Sequence, residues 1–231
     1  MNILEKTATL LEPLHPYVSK VLQDLDEISW DRKVRLAELA EIILQHARFG
    51  KESKLTFICT HNSRRSHMSQ IWAQTAAACF GIPNVKTFSG GTEATACNIR
   101  TVRALRRAGF SVTDVSLASA NIPEGEPAAD NPVYLAKYSE NFPPLKCFSK
   151  VYNGTGNPKK DFAAVMTCAE ADHNCPVVFG CSNRISLPYL DPKISDDTED
   201  EEETYDARLR QIAREMFYVM SLVRQSLVEK E

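Results

Sequence analysis

A short apolar run, Leu55-Thr56-Phe57-Ile58, ends in Cys59 and opens into Thr60-His61-Asn62-Ser63-Arg64 before Arg65 enters a helical pattern. The run is partly β-branched and bounded by polar residues, so it predicts a buried strand. Ser66 predicts the cap of a helix running to about Phe80. A second strand follows at Val85 to Ser89. Asn98 predicts the cap of another helix through Ala108, which Gly109 ends. Further strands are expected at Asp161 to Thr167 and Arg184 to Leu190, and a long amphipathic helix at Tyr205 to Val228. Alternation of strand and helix predicts an α/β domain with a mainly parallel sheet.

Residues 1–52 read as a helical extension. Leu36, Leu39, Ala40, Ile43, Leu44 and Ala47 fall three and four apart and predict one helix face, with Gly50 as its C-terminal cap. Pro13 and Pro16 are expected to break an earlier helical stretch. The division is therefore an extension at 1–52 and an α/β domain at 53–231. Within that domain, Pro, Gly and Asn mark an irregular insertion at about 121–160. The acidic run Asp196 to Glu203 reads as a solvated loop that also favours the start of the last helix.

Bulk properties exclude several classes. A net charge of -3 over 231 residues gives no reason to expect a nucleic-acid partner. No apolar run is long enough to span a bilayer, and the N-terminus lacks the basic start and apolar core of a signal peptide. A cytoplasmic protein with no membrane partner is the expectation. Seven cysteines, an odd number, do not suggest a disulfide scaffold. In a reducing compartment they are either inert core residues or chemically active.

The stretch Cys59 to Ser66 is the place to look for activity. Backbone N–H groups of a tight turn and of a helix N-terminus converge on one point and suit a tetrahedral anion. Thr60, His61, Asn62, Ser63, Arg64, Arg65 and Ser66 would form that cradle. Arg65 can add a planar fork of donors to two anion oxygens. The same field favours a thiolate at Cys59, the reactive nucleophile, and Ser66 can hydrogen-bond it. The bare Cys-x5-Arg spacing is weak, since Cys97 to Arg103 repeats it. That copy follows no predicted strand and has Ala104 in place of the serine.

These residues resemble the phosphate loop of low-molecular-weight protein tyrosine phosphatases and of the related thioredoxin-coupled arsenate reductases. Phe88 to Glu93 and Asn98 to Gly109 resemble the family's next strand and helix, and Asp191-Pro192 its general-acid motif. The resemblance covers roughly residues 54–119 and 161–228. It implies a four-stranded parallel sheet flanked by helices. One departure is His61, where the family usually has glycine; the change bears on loop geometry.

Cys168-Ala169-Glu170-Ala171-Asp172-His173-Asn174-Cys175 is similar to the redox segment of the arsenate reductases. That similarity implies arsenate reduction as the expected activity, by a relay in which Cys59 attacks arsenic, Cys168 attacks Cys59 to release arsenite and Cys175 resolves the pair; the alternatives are a phosphatase working through a cysteinyl-phosphate and a non-catalytic oxyanion- or partner-binding module. Thioredoxin or a similar dithiol would be the external reductant, with no bound cofactor. The polar segment 170–174 would supply the mobility such a relay needs. Three other readings stay open: a strand-end core cysteine at Cys168 and a loop cysteine at Cys175; a metal site from Cys168, His173, Cys175 and Cys181, whose spacing lacks a Cys-x2-Cys knuckle; and a phosphatase with incidental cysteines. Phosphatases of this type carry aromatic residues just after Asp-Pro. Here Lys193-Ile194-Ser195 follows, so Tyr134, Tyr138 or Phe142 would have to replace that wall. Cys79, Cys97, Cys147 and Cys181 read as structural, His67 and His173 as surface polar residues, and Glu170 and Asp172 as solvated charges. Asn62 and Ser89 match a potassium pattern of some arsenate reductases, but Gln70 replaces an acid and no metal is predicted. The extension is expected either to pack on the α/β domain or to form a homodimer contact.

Overall fold

The computed structural model describes residues 9–116, 130–175 and 177–229. In chain order the elements are α1 (His15–Gln23), α2 (Trp30–Arg48), β1 (Ser53–Cys59), α3 (Arg65–Cys79), β2 (Val85–Gly91), α4 (Ile99–Arg107) and β3 (Ser111–Asp114). They continue with β4 (Tyr134–Lys137), β5 (Leu145–Cys147), β6 (Phe162–Met166), α5 (Ala169–Asn174), β7 (Cys181–Ser186) and α6 (Glu201–Val228). β1, β2, β6 and β7 form a four-stranded parallel sheet in the order β2-β1-β6-β7. Helices flank it, as the sequence predicts. β1 is central and almost wholly buried, which is why its residues form a near-continuous apolar run rather than an alternating one.

The sheet order has one consequence for function. From β1 the chain moves outward to β2 on one side, and the later strands build on the other side. Ligands of open parallel sheets bind outside the C-terminal ends of the strands at such a reversal. The segment after Cys59 leaves the sheet there.

Four expectations are corrected. The region 121–160 is not simply irregular: it holds β4 and β5, which pair with β3 just before it in a second, antiparallel sheet. Strands of three or four residues are too short to show a period in sequence. Residues 121–129 of that region lie outside the described part. The last strand of the main sheet spans Cys181–Ser186 rather than Arg184 to Leu190, and Leu187 and Tyr189 continue by single bonds to Met166 and Thr167. Pro13 and Pro16 start short helical segments rather than break one, because the first turn needs no N–H from them. The acidic run is not a free solvated loop: Asp196 pairs with Arg64 at 2.8 Å, and Glu201 and Asp197 pair with Arg100 at 2.6 and 2.5 Å.

The extension shares the main core. Leu36, Leu39, Ala40, Ile43 and Leu44 are buried on one face of α2, as the spacing predicts, and pack against α6 of the same chain. Trp72 on α3 lies at the centre, stacked on Tyr17 at 5.2 Å and edge-on to Phe110 at 4.8 Å. Among the described residues, no helix is long and apolar enough to cross a membrane.

Candidate active site

Residues 60–64 form a bend between β1 and the N-terminus of α3. Three of their carbonyls, and that of Cys59 before them, are occupied from outside. The Cys59 carbonyl accepts from the Thr92 amide (3.1 Å), Thr60 from Glu93 (3.0 Å) and Ser63 from Asn98 (3.1 Å). The His61 carbonyl accepts from the Ser149 hydroxyl (2.7 Å) and the Thr95 hydroxyl (3.3 Å). Among the described residues, the backbone N–H groups of 60–64 donate to no protein acceptor. Carbonyls held outward leave the amides turned to the concave side, next to the positive end of α3.

The loop's one left-handed residue is Asn62, at φ +46, rather than His61. Asparagine tolerates that conformation better than most residues. His61 is instead half exposed and meets Glu93 at 3.2 Å, so its replacement of glycine involves no left-handed backbone.

Asn62 also reaches Cys59 through Ser66. Its Oδ1 accepts from the Lys150 amide at 3.0 Å, and its Nδ2 donates to Ser66 Oγ at 2.8 Å. Ser66 Oγ lies 3.1 Å from Cys59 Sγ. A hydroxyl has one proton, and since Asn62 fills an acceptor position that proton is left for the sulfur. Ser66 lies inside α3, whose N-cap is Arg64, so the cap expected of Ser66 is replaced by this contact.

Arg65 is nine-tenths buried. Its Nη1 donates to the Tyr189 carbonyl at 3.1 Å and its Nη2 to Asp191 Oδ2 at 2.6 Å. Its Nε is buried without a partner. An unsatisfied buried guanidinium donor is rare and calls for an acceptor, and an anion in the loop would supply one. Asp191 caps the short turn Pro192–Ser195 through the Lys193 amide at 3.1 Å and so lies beside the loop. Arg64 is different: its Nε donates to the Tyr205 hydroxyl (2.5 Å) and its Nη2 to Asp196 (2.8 Å).

Cys168 is fully buried in the same small apolar cluster as Cys59. Its sulfur lies 3.4 Å from Thr60 Oγ1 and accepts from the Ala171 amide. Residues 169–174 form a helical turn rather than a free polar segment. Cys175 is partly exposed beyond it, and Arg184 ties the carbonyls of Asp172 and Cys175 to β7. Glu170 is not simply solvated, because Thr60 Oγ1 donates to it at 3.1 Å. Asp172 is held by Arg184 and Ser186.

Tyr134, Tyr138 and Phe142 do not serve the site by any described contact. Tyr134 lies in the second sheet, and Tyr138 stacks on Phe142 and binds Leu11. The large apolar residues flanking Asp191 are Leu190 and Ile194, 73% and 78% exposed. Gln70, where an acid would suit potassium, instead donates to the Thr87 carbonyl at 3.1 Å. Among the described residues, no group of three or more His, Cys, Asp or Glu side chains is arranged to hold a metal ion. Cys79, Cys97 and Cys147 are buried, as expected.

His67 corrects another expectation. It is fully buried, with Nδ1 3.2 Å from Ser89 Oγ. Burial, with Lys150 adding to it and a bond to the Asn62 backbone opposing, lowers its pKa to about 3. A depressed imidazole pKa stabilises the fold above the unfolded value of about 6.5 and loses that stability as pH falls toward 3. Between pH 6.5 and 4 the loss is on the order of 3 kcal/mol. Denaturant midpoints measured across that range should fall with pH and flatten in His67→Gln. An unchanged slope would remove His67 from the acid response.

No known protein-family profile matches the sequence, and no curated protein matches it. Solved structures do resemble the fold. A YwlE mutant from Bacillus subtilis is 13% identical, covering 74% of this chain and 98% of its own, with a TM-score of 0.45. The YwlE arginine phosphatase from Geobacillus stearothermophilus is 11% identical, covering 78% and 97%, also at 0.45. A low molecular weight phosphotyrosine phosphatase from Vibrio cholerae O395 is 12% identical, covering 77% and 98%, at 0.43. At these values the likeness is one of fold in outline.

Proposed function

We propose that this chain is a cysteine-dependent phosphatase that hydrolyses phosphomonoesters at the loop 59–66. The observation that carries the reading is the unpartnered Nε of buried Arg65 beside a bend whose amides lack acceptors. Phosphate would fill the cradle, and Arg65 would exchange Asp191 for two phosphate oxygens. The Cys59 thiolate attacks phosphorus, and Asp191 as carboxylic acid protonates the departing ester oxygen. The resulting carboxylate then takes a proton from water as it attacks the cysteinyl-phosphate. Cys59 leaves as thiolate, with the Ser66 proton directed at its sulfur. No step needs any described element to move far. Leu190 and Ile194 give the mouth an aliphatic rim rather than an aromatic slot, which favours small esters over a demand for a phenyl ring. A reduced Cys59 is needed throughout, which supports a cytoplasmic setting.

A second reading, arsenate reduction through Cys59, Cys168 and Cys175, is favoured by the contact between Cys168 and Thr60. There the Cys59 thiolate first attacks arsenic and an arsenate oxygen leaves as water; Cys168 then attacks the Cys59 sulfur of that adduct, and arsenite leaves with the electron pair of the broken sulfur–arsenic bond. Cys175 then attacks Cys168, freeing Cys59 and leaving a Cys168–Cys175 disulfide for thioredoxin to reduce. The relay requires α5 to open and the Arg184 ties to break, which is why hydrolysis comes first.

One pair of assays separates them. Hydrolysis of p-nitrophenyl phosphate should survive in Cys168→Ser within about threefold of the unsubstituted chain, because the hydrolytic steps do not use that sulfur. Arsenate-dependent NADPH consumption with thioredoxin and thioredoxin reductase that vanishes in Cys168→Ser, without ester hydrolysis, would overturn the phosphatase reading in favour of the relay.

A further inference from the structure

We infer that Arg32, in the N-terminal extension, is a positioning residue for this reaction: through Glu215 and Tyr189 it sets the segment that holds Arg65 and carries Asp191. The inference rests on the phosphatase reading for its kinetic consequences. Glu215, on α6, is 2% exposed. Its Oε2 accepts from Arg32 Nε at 3.0 Å, Arg32 Nη2 at 2.8 Å and the Tyr189 hydroxyl at 2.7 Å. The Arg32 guanidinium also lies over the Tyr189 ring, 4.8 Å from its centre. Arg32 therefore grips Tyr189 twice, through its ring and through its hydroxyl's acceptor.

Tyr189 is in turn the hinge of the acid segment. Its amide donates to the Thr167 carbonyl at 3.0 Å, and its own carbonyl accepts from Arg65 at 3.1 Å. Two residues on, Asp191 takes the other arm of Arg65 at 2.6 Å. A buried carboxylate that loses its cation must take a proton, admit water or move. Each response releases the Tyr189 ring and lets the segment 189–191 shift. A misplacement of about 1 Å at a reacting group costs roughly a hundredfold in rate. Glu215 Oε1 also accepts from Gln211 Nε2 at 3.2 Å. Removal of Arg32 thus leaves Glu215 a neutral hydrogen-bond partner but no paired cation, and the chain should still fold.

The test uses the full chain with Arg32→Met, Arg32→Lys and the double variant Arg32→Met/Glu215→Gln. Two substrates are compared: p-nitrophenyl phosphate, whose leaving group hardly needs a proton, and an alkyl phosphate, whose leaving group does. Arg32→Met should lower kcat about tenfold on the first and about a hundredfold or more on the second, the pattern of a misplaced acid. Arg32→Lys should fall between, and the double variant should recover most of the selectivity between the esters because no buried charge is left uncompensated. A lower Tm with an unchanged ratio between the two esters would make Arg32 merely structural and overturn the inference. If the unsubstituted chain hydrolyses neither ester, the phosphatase reading fails instead. The positioning role is then read by phosphate protection of Cys59 against iodoacetate: a roughly tenfold weakening in Arg32→Met supports it, and unchanged protection ends it.

Discussion

Cys59→Ser is expected to lower turnover of p-nitrophenyl phosphate by at least about 10⁴-fold while leaving phosphate affinity within a few-fold. The two effects separate because they rest on different atoms. Anion binding draws on the unoccupied amides of the bend, the end of α3 and the Nε of Arg65, none of which changes. Chemistry draws on the sulfur. A serine hydroxyl at that position receives the same Ser66 contact, but it holds its proton far more tightly than a thiol, and no described base lies against it. Phosphate titration by calorimetry beside a stopped ester assay measures both. Residual activity within tenfold of the unsubstituted chain would mean that the nucleophile lies elsewhere.

Gly91→Ala should damage both stability and activity, through backbone alone. A Cβ at Gly91 would sit 2.2 Å from the Glu93 carbonyl oxygen, 2.6 Å from the Thr60 carbonyl oxygen and 2.8 Å from the Asn62 amide nitrogen. All three are main-chain atoms, so no side chain can swing aside. Two belong to the bend, and the Thr60 carbonyl is tied to the Glu93 amide at 3.0 Å. Relief of the clash must displace residues 60–62 or break that tie. The expected cost is roughly 3 kcal/mol or more of stability, about 6–12 °C in Tm for a chain of this size. The value of kcat/KM on p-nitrophenyl phosphate should fall about a hundredfold or more. Gly156→Ala is the control: it has φ +85 but nothing within 4 Å, so it should cost roughly 1 kcal/mol and leave activity unchanged. Equal losses in both variants would show that close approach at Gly91 is unimportant.

These two variants divide along the line between sequence and structure. Cys59, Arg65 and Ser66 stand within one strand-loop-helix passage, and so does Asn62, whose left-handed backbone suits its residue type. Contiguous residues carry periodicity, caps and turn chemistry directly, so β1, β2, β6, α3, α4, α6 and the bend after Cys59 were legible from the chain alone. The face of α2 was legible for the same reason: a helix repeats its apolar positions three and four apart wherever it packs.

What the chain alone left unread depends on residues far apart meeting. Ser149 and Lys150 brace His61 and Asn62 across 88 positions, and Arg32 reaches Glu215 across 183. No local pattern marks such pairs, because neither partner needs a special neighbour in sequence. The sheet β3-β4-β5 was missed because its strands are too short to repeat. His67 read as a surface residue because an imidazole among polar neighbours looks solvated until α3 is laid against β2. By itself the sequence determined a cysteine at the end of a parallel strand and a bend into a helix that starts at Arg65, since that is written in adjacent residues. Only the tertiary structure decided that the loop's carbonyls are held outward, that Tyr189 links the N-terminal extension to Arg65 and Asp191, and that α5 stands between Cys168 and Cys175. Those are outcomes of how the layers pack, and packing is set by the whole chain at once.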